Sequence, residues 1–69
     1  MNIVTMTELL GKSEKTCAKY FTARGYVVGS YEPSTMEASL NHAGVCVRWV
    51  EMTFSPKGRC TSAVLHIPA

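Results

Sequence analysis

The stretch Thr5–Gly25, TMTELLGKSEKTCAKYFTARG, decides how the chain is read. Thr5 and Glu8 have the spacing of a capping box, in which two side chains satisfy the free amides of a helix start. Met6, Leu9 and Leu10 follow at i, i+3 and i+4, the single apolar stripe of a short helix. Gly11 supplies the left-handed residue that ends a helix at low cost. Ser13 is then a strong N-cap, and Cys17, Tyr20, Phe21 and Arg24 recur at i, i+3, i+4 and i+7. The spacing predicts a second helix from Ser13 to about Arg24, closed by Gly25. Cys17, Tyr20 and Phe21 are expected to lock onto the first helix. Lys15, Ala18, Lys19 and Thr22 are expected to face outward.

From Tyr26 the period changes. Tyr26–Tyr31 is rich in strand-favouring residues, and Glu32-Pro33-Ser34 breaks the run. Thr35–Leu40 fits two patterns. Ser34 with Glu37 is a second capping-box spacing for a short helix, whereas Met36, Ala38 and Leu40 alternate as one face of a strand. The strand is preferred because the next run would pair with it. Val45–Phe54, VCVRWVEMTF, is the clearest strand, with Val45, Val47, Trp49, Glu51 and Thr53 on one face and Cys46, Arg48, Val50, Met52 and Phe54 on the other. Both faces are mostly apolar, which predicts a central strand with cover on one side and partial cover on the other. Ser55-Pro56-Lys57-Gly58 is a turn, and Cys60–Ile67 returns as a strand that Pro68 ends. Met1–Val4 carries no assigned element.

The 69 residues are expected to form one domain, with the helices in 1–25 and the strands in 26–69. A chain of this size buries only about 60% of the surface its unfolded form exposes, so stability is marginal and dimerisation would help. A hydrophobic fraction of 46% with 17% charged residues fits a globular protein. The sequence contains no run of about 18 apolar residues and no basic-then-apolar leader, so neither a membrane span nor a secretion signal is expected. Three cysteines, Cys17, Cys46 and Cys60, stand without motif spacing, which points to free thiols and a cytoplasmic location. A Cys46–Cys60 disulfide across the last hairpin stays open. Zinc on His42, Cys46, Cys60 and His66 is less favoured, because the ligands do not come in close pairs. No cofactor is expected. The net charge is only +2, but residues 1–25 hold four basic and two acidic groups, while 26–69 hold three of each.

Leu10, Gly11, Ser13, Thr16, Cys17, Tyr20, Phe21 and Gly25 sit where matching residues stand in the winged helix-turn-helix domains of small phage and bacterial DNA-binding proteins. The stretch resembles the MerR-like and excisionase-like members, and the DNA-binding domains of phage terminase small subunits. It covers about a third of the chain. The resemblance implies an α+β fold, in which a two-helix helix-turn-helix is followed by a small antiparallel sheet whose strands form the wing. It implies double-stranded DNA as partner, with helix 13–24 in the major groove.

On that reading Ser13, Lys15, Thr16 and Lys19 reach base edges. Lys12 and Arg24 meet phosphates, and Lys57 and Arg59 form a second contact at a hairpin tip. The bland alternative is that Lys15 and Lys19 are a solvated helix face and Lys57 and Arg59 a soluble turn. The rival function is an inhibitor or adaptor of the kind found in phages, binding a host protein through its sheet or helical face. Trp49, Tyr31, Tyr26, Met36 and Met52 are candidates for such a patch, although a lone Trp in a central strand is more simply core. A homodimer suits either function. Catalysis is the weakest reading. His42 and His66 lie beside no plausible triad, the five glutamates are scattered, and there is no Asp.

Overall fold

The structure, a computed structural model, describes residues 2–31 and 34–68. Five strands form one antiparallel sheet: β1 (Asn2–Thr5), β2 (Val27–Tyr31), β3 (Thr35–His42), β4 (Val45–Phe54) and β5 (Cys60–Ile67). Their order across the sheet is β1-β5-β4-β3-β2. The one α-helix among the described residues, α1 (Glu14–Thr22), lies in the connection between β1 and β2. Those two strands are the opposite edges of the sheet. The connection therefore crosses a whole face, and α1 covers that face.

The expected helix-turn-helix with a winged-helix-like sheet is not what this chain forms. Thr5, the intended cap of a first helix, belongs to β1, which pairs with β5 from Asn2↔Ile67 to Thr5↔Val64. The Met6 amide donates to the Ala63 carbonyl at 2.8 Å, extending that pairing. Only Thr7–Leu9 winds, as one 3-10 turn with no side-chain cap. The physical reason is length. A helix of about five residues carries the full cost of nucleation with few bonds to repay it, whereas β-branched Ile3, Val4 and Thr5 find ready partners on β5. Leu9 still reaches the core, but Leu10 is exposed and extended. Gly11, at φ +80°, does not cap a helix. It turns the chain back alongside β5, donating to the Cys60 carbonyl while the Cys60 amide donates to the Lys12 carbonyl, both at 2.8 Å.

The second helix forms close to its expected bounds. Ser13 is its N-cap, its hydroxyl accepting from the Thr16 amide at 3.2 Å. Gly25, at φ +84°, follows its end. Cys17 and Phe21 are fully buried as expected, but against the sheet, not against a helix partner. Phe21 meets Tyr20 and Tyr26 edge-on, with ring centroids 5.0 and 5.1 Å apart. Ala18, expected to face outward, is half-buried and packs against the core.

The strand reading of Thr35–Leu40 holds, and β3 runs on to His42. It turns at Ala43-Gly44, both at positive φ, the two-residue geometry that suits antiparallel hairpins. Of the break expected at Glu32-Pro33-Ser34, residues 32 and 33 lie outside the described residues. The central place of β4 also holds, between β5 and β3. The β4–β5 hairpin is thus the middle of the sheet and not a peripheral wing. The core sits between α1 and the sheet. It comprises Leu9, Cys17 and Phe21 from the helical layer and Met36, Ala38, Val50, Met52, Phe54, Cys60 and Ala63 from the strands. Met36, Ala38, Val50 and Met52 are paired in register, so one face of β3 and β4 supplies the floor on which Phe21 lands.

Candidate binding face

The basic residues expected to contact DNA end up in different situations. Lys12, Lys15 and Lys19 are exposed. Ser13 and Thr16 are committed to the helix start, with the Ser13 hydroxyl donating to Thr16 Oγ1 at 3.0 Å while accepting the Thr16 amide. Arg24 folds back. Its guanidinium lies 3.6 Å from the Tyr20 ring centroid and donates to the Tyr20 carbonyl at 2.9 Å. Lys57 is exposed in the β4–β5 turn, and Arg59 is exposed where it bridges to Ser13 across strands. The structure brings Arg59 beside the entrance of α1, near Lys12, and keeps Arg24 away from that group. With one nine-residue α-helix and no bracing first helix among the described residues, the helix-turn-helix placement of these residues in a major groove has no frame.

A second surface emerges from the sheet. Since α1 covers one side only, the register of five strands defines the other side as three straight rows. The first row runs Val27–Ser39–Trp49–His66–Ile3 from β2 to β1, and the second Gly29–Glu37–Glu51–Val64–Thr5. The third, Tyr31–Thr35–Thr53–Ser62, spans β2 to β5. Each follows from the two-residue period of strands, which sends alternate side chains to opposite faces.

The middle of this face is organised by two contacts. The rings of Trp49 and His66 stack 4.8 Å apart at 7°, a cross-strand pair of the kind that stabilises antiparallel sheets. His66 donates from Nε2 to Glu51 at 2.7 Å, with His66 mostly covered and Glu51 open to solvent. The His66 Nδ1 is buried and has no hydrogen-bond partner among the described residues. At the β2 edge the Tyr31 ring lies over Gly29, whose missing Cβ would sit 3.5 Å from the Tyr31 hydroxyl. Trp49, expected in the core, is therefore half-buried on the open face. Of the other residues offered for an interface patch, Met36 and Met52 are buried on the helix side and Tyr26 packs against Phe21. Only Tyr31 joins Trp49.

The cysteines and histidines do not converge. Cys46 is exposed at the start of β4, while Cys60 is buried opposite Phe54 at its far end. About eight residues of strand separate them, roughly 26 Å at the usual rise. Cys60 instead neighbours Cys17. Burial, with the Cys60 thiol beside it, pushes the Cys17 thiol from 9.0 up to about 11. Among the described residues no three metal-ligating side chains come together.

Reading residue by residue missed Glu37, Glu51 and His66 as members of one surface. The available signal was the count of layers. A helical segment with one short apolar stripe can cover one face of a sheet, and the alternation of β3, β4 and β5 specifies which residues the other face must show.

The fold and this face define a small α+β domain, a five-stranded antiparallel sheet with one helix on one side and an open, aromatic-centred face on the other. No family model matches the chain, and no curated protein or solved structure matches it either. Among the described residues no helix is long and apolar enough to cross a membrane.

Proposed function

We propose that this chain is a small cytoplasmic binding protein, an adaptor or inhibitor without catalysis of its own, whose partner is another protein docked on the open face of the sheet. One observation carries the reading: around Trp49 the uncovered face presents Val27 and Ile3, 66% and 63% exposed, at the two ends of the Trp49 row. Exposed apolar ground of this kind, centred on an aromatic and rimmed by Ser, Thr and Glu, is the make-up of protein interfaces. Trp and Tyr are also the residues that most often anchor them. The free thiols of Cys17, Cys46 and Cys60 support a reducing compartment.

DNA contact is the weaker reading. The exposed lysines Lys12, Lys15 and Lys19 favour it, but Ser13, Thr16 and Arg24 are occupied within the fold. The open face carries carboxylates, which phosphates would avoid.

The test is capture from the cells in which the protein is naturally made, with and without nuclease. The expected result is a retained protein that is indifferent to nuclease. It should be lost with Val27→Asp and kept with Lys15→Glu plus Lys19→Glu. Retention that instead disappears with nuclease, with added salt and with the lysine variant would move the function to nucleic acid.

A further inference from the structure

The acidic row of the open face narrows the chemistry of the partner, an inference that rests on the face being a protein-docking surface. Glu37 on β3 stands directly opposite Glu51 on β4. Residues so placed hold their Cβ atoms about 4.5–5.5 Å apart, and like charges there destabilise a sheet. His66 offers Glu51 one hydrogen bond. Among the described residues Glu37 has no ion pair.

All seven basic residues are elsewhere. Lys12, Lys15, Lys19 and Arg24 belong to the helical layer, and Lys57 and Arg59 flank the β4–β5 turn. Arg48 alternates with Trp49 and so faces the helix side. The molecule is thus polarised, positive on the helix side and negative on the open sheet.

The surroundings of the acidic pair suit a cation. Gly29, next in the row, has no side chain, so the Tyr31 phenol fills the place beside Glu37 that a side chain would take. The Tyr31 ring lies over Gly29, and Trp49 borders the pair in the adjoining row. Carboxylates hold a guanidinium by paired charge-assisted hydrogen bonds, and aromatic faces attract the same group.

We infer that the open face takes a basic segment of its partner protein, with an arginine or lysine side chain seated on Glu37 and Glu51 between Tyr31 and Trp49. A second copy docked face to face would set these carboxylates against their own equivalents. A nucleic acid would lay phosphates on them.

Trp49 is the single tryptophan, so its emission reports on this face directly. The probes are a capped hexa-arginine peptide, capped hexa-glutamate and hexa-serine peptides, and a short DNA duplex. Hexa-arginine is expected to shift Trp49 emission saturably and in a salt-sensitive way, and the other three to leave it unchanged. Glu37→Gln is expected to weaken hexa-arginine at least tenfold. The same variant should raise the melting temperature by about 2–4 °C, because the opposed charges are relieved. Glu8→Gln plus Glu14→Gln, acids on the helical layer, should leave the affinity unchanged.

Equal affinity in Glu37→Gln and the parent would overturn the seat. So would a response only to DNA, or a salt-sensitive dimer that quenches Trp49 without any peptide. If hexa-arginine fails while capture is still lost with Val27→Asp, the cation seat falls and the docking face stands. If that capture is itself insensitive to the valine variant, the docking face falls.

Discussion

Replacing Phe21 with Ala tests how the helix is held. Helix α1 has nine residues, fewer than the dozen or so that an isolated helix needs in water, so it exists because it is docked. Its fully buried side chains are Cys17 and Phe21 alone. Phe21 is 1% exposed and fills the space over Met36, Ala38, Val50 and Met52, with Tyr20 and Tyr26 edge-on to its ring. Truncating a buried Phe to Ala costs about 3–5 kcal/mol, of which each aromatic pair contributes roughly 0.5–1.5 kcal/mol.

At about 0.05–0.15 kcal/mol per residue, a domain of this length has a total stability of roughly 3.5–10 kcal/mol. Phe21→Ala is therefore expected to remove between a third and all of the margin. Urea denaturation followed by circular dichroism, with the emission of Trp49 on the opposite face as a second probe, measures it. Both signals should shift together to a much lower midpoint. A loss under about 1.5 kcal/mol, or helix melting while Trp49 emission stays native, would refute the claim that one aromatic joins the two layers into one cooperative unit.

Two further outcomes follow from the same packing. Ser13→Ala removes the hydroxyl that accepts the Thr16 amide, and should lower stability by about 1 kcal/mol; a change under about 0.3 kcal/mol in the same urea series would mean the cap is idle. The Cys17 thiol, raised by burial and by neighbouring Cys60 to about 11, keeps its proton longer folded than unfolded. Its contribution is thus complete below about pH 9 and lost as pH climbs through 11, by roughly 2–3 kcal/mol. Melting curves at pH 8 and 11 should show a smaller alkaline loss in Cys17→Ala than in the parent, and parallel losses would contradict the burial of that thiol.

Sequence and structure agree where a signal is local. Ser13 and Gly25 bracket α1 because capping depends on a few neighbouring atoms. Val45–Phe54 reads as a strand because period two is independent of what the strand touches, although a bulge opposite Leu40 and Asn41 breaks the expected alternation, so that Val45 does not share the face of Trp49. The turn at Ser55–Gly58 is equally local: Gly58 sits at φ +79° and donates to the Ser55 carbonyl at 2.8 Å.

Agreement ends at Met6–Leu10. There a helical stripe competes with a strand whose partners, Val64 for Thr5 and Ala63 for Met6, lie 57 or more residues away. The apolar spacing Met6–Leu9 is real and both side chains pack inward, yet one turn is all that survives, because β5 takes up Thr5 and the Met6 amide. The helix-turn-helix resemblance begins at the end of this segment, with Leu10, and runs to Gly25. Its Gly11, Ser13 and Phe21 do structural work here in another frame.

The chain alone thus determined the position and inner stripe of α1, the strands from Val27 to Ile67, the centrality of β4 and the layer that holds most of the positive charge. Each of these depends on periodicity, caps and turns within a dozen residues. Tertiary structure alone decided that Asn2–Thr5 closes the far edge, that a single helix covers one face, and that Glu37, Glu51, His66 and Trp49 share the other. Those outcomes turn on long-range register, and register is set by which strands have free edges once the local elements have formed.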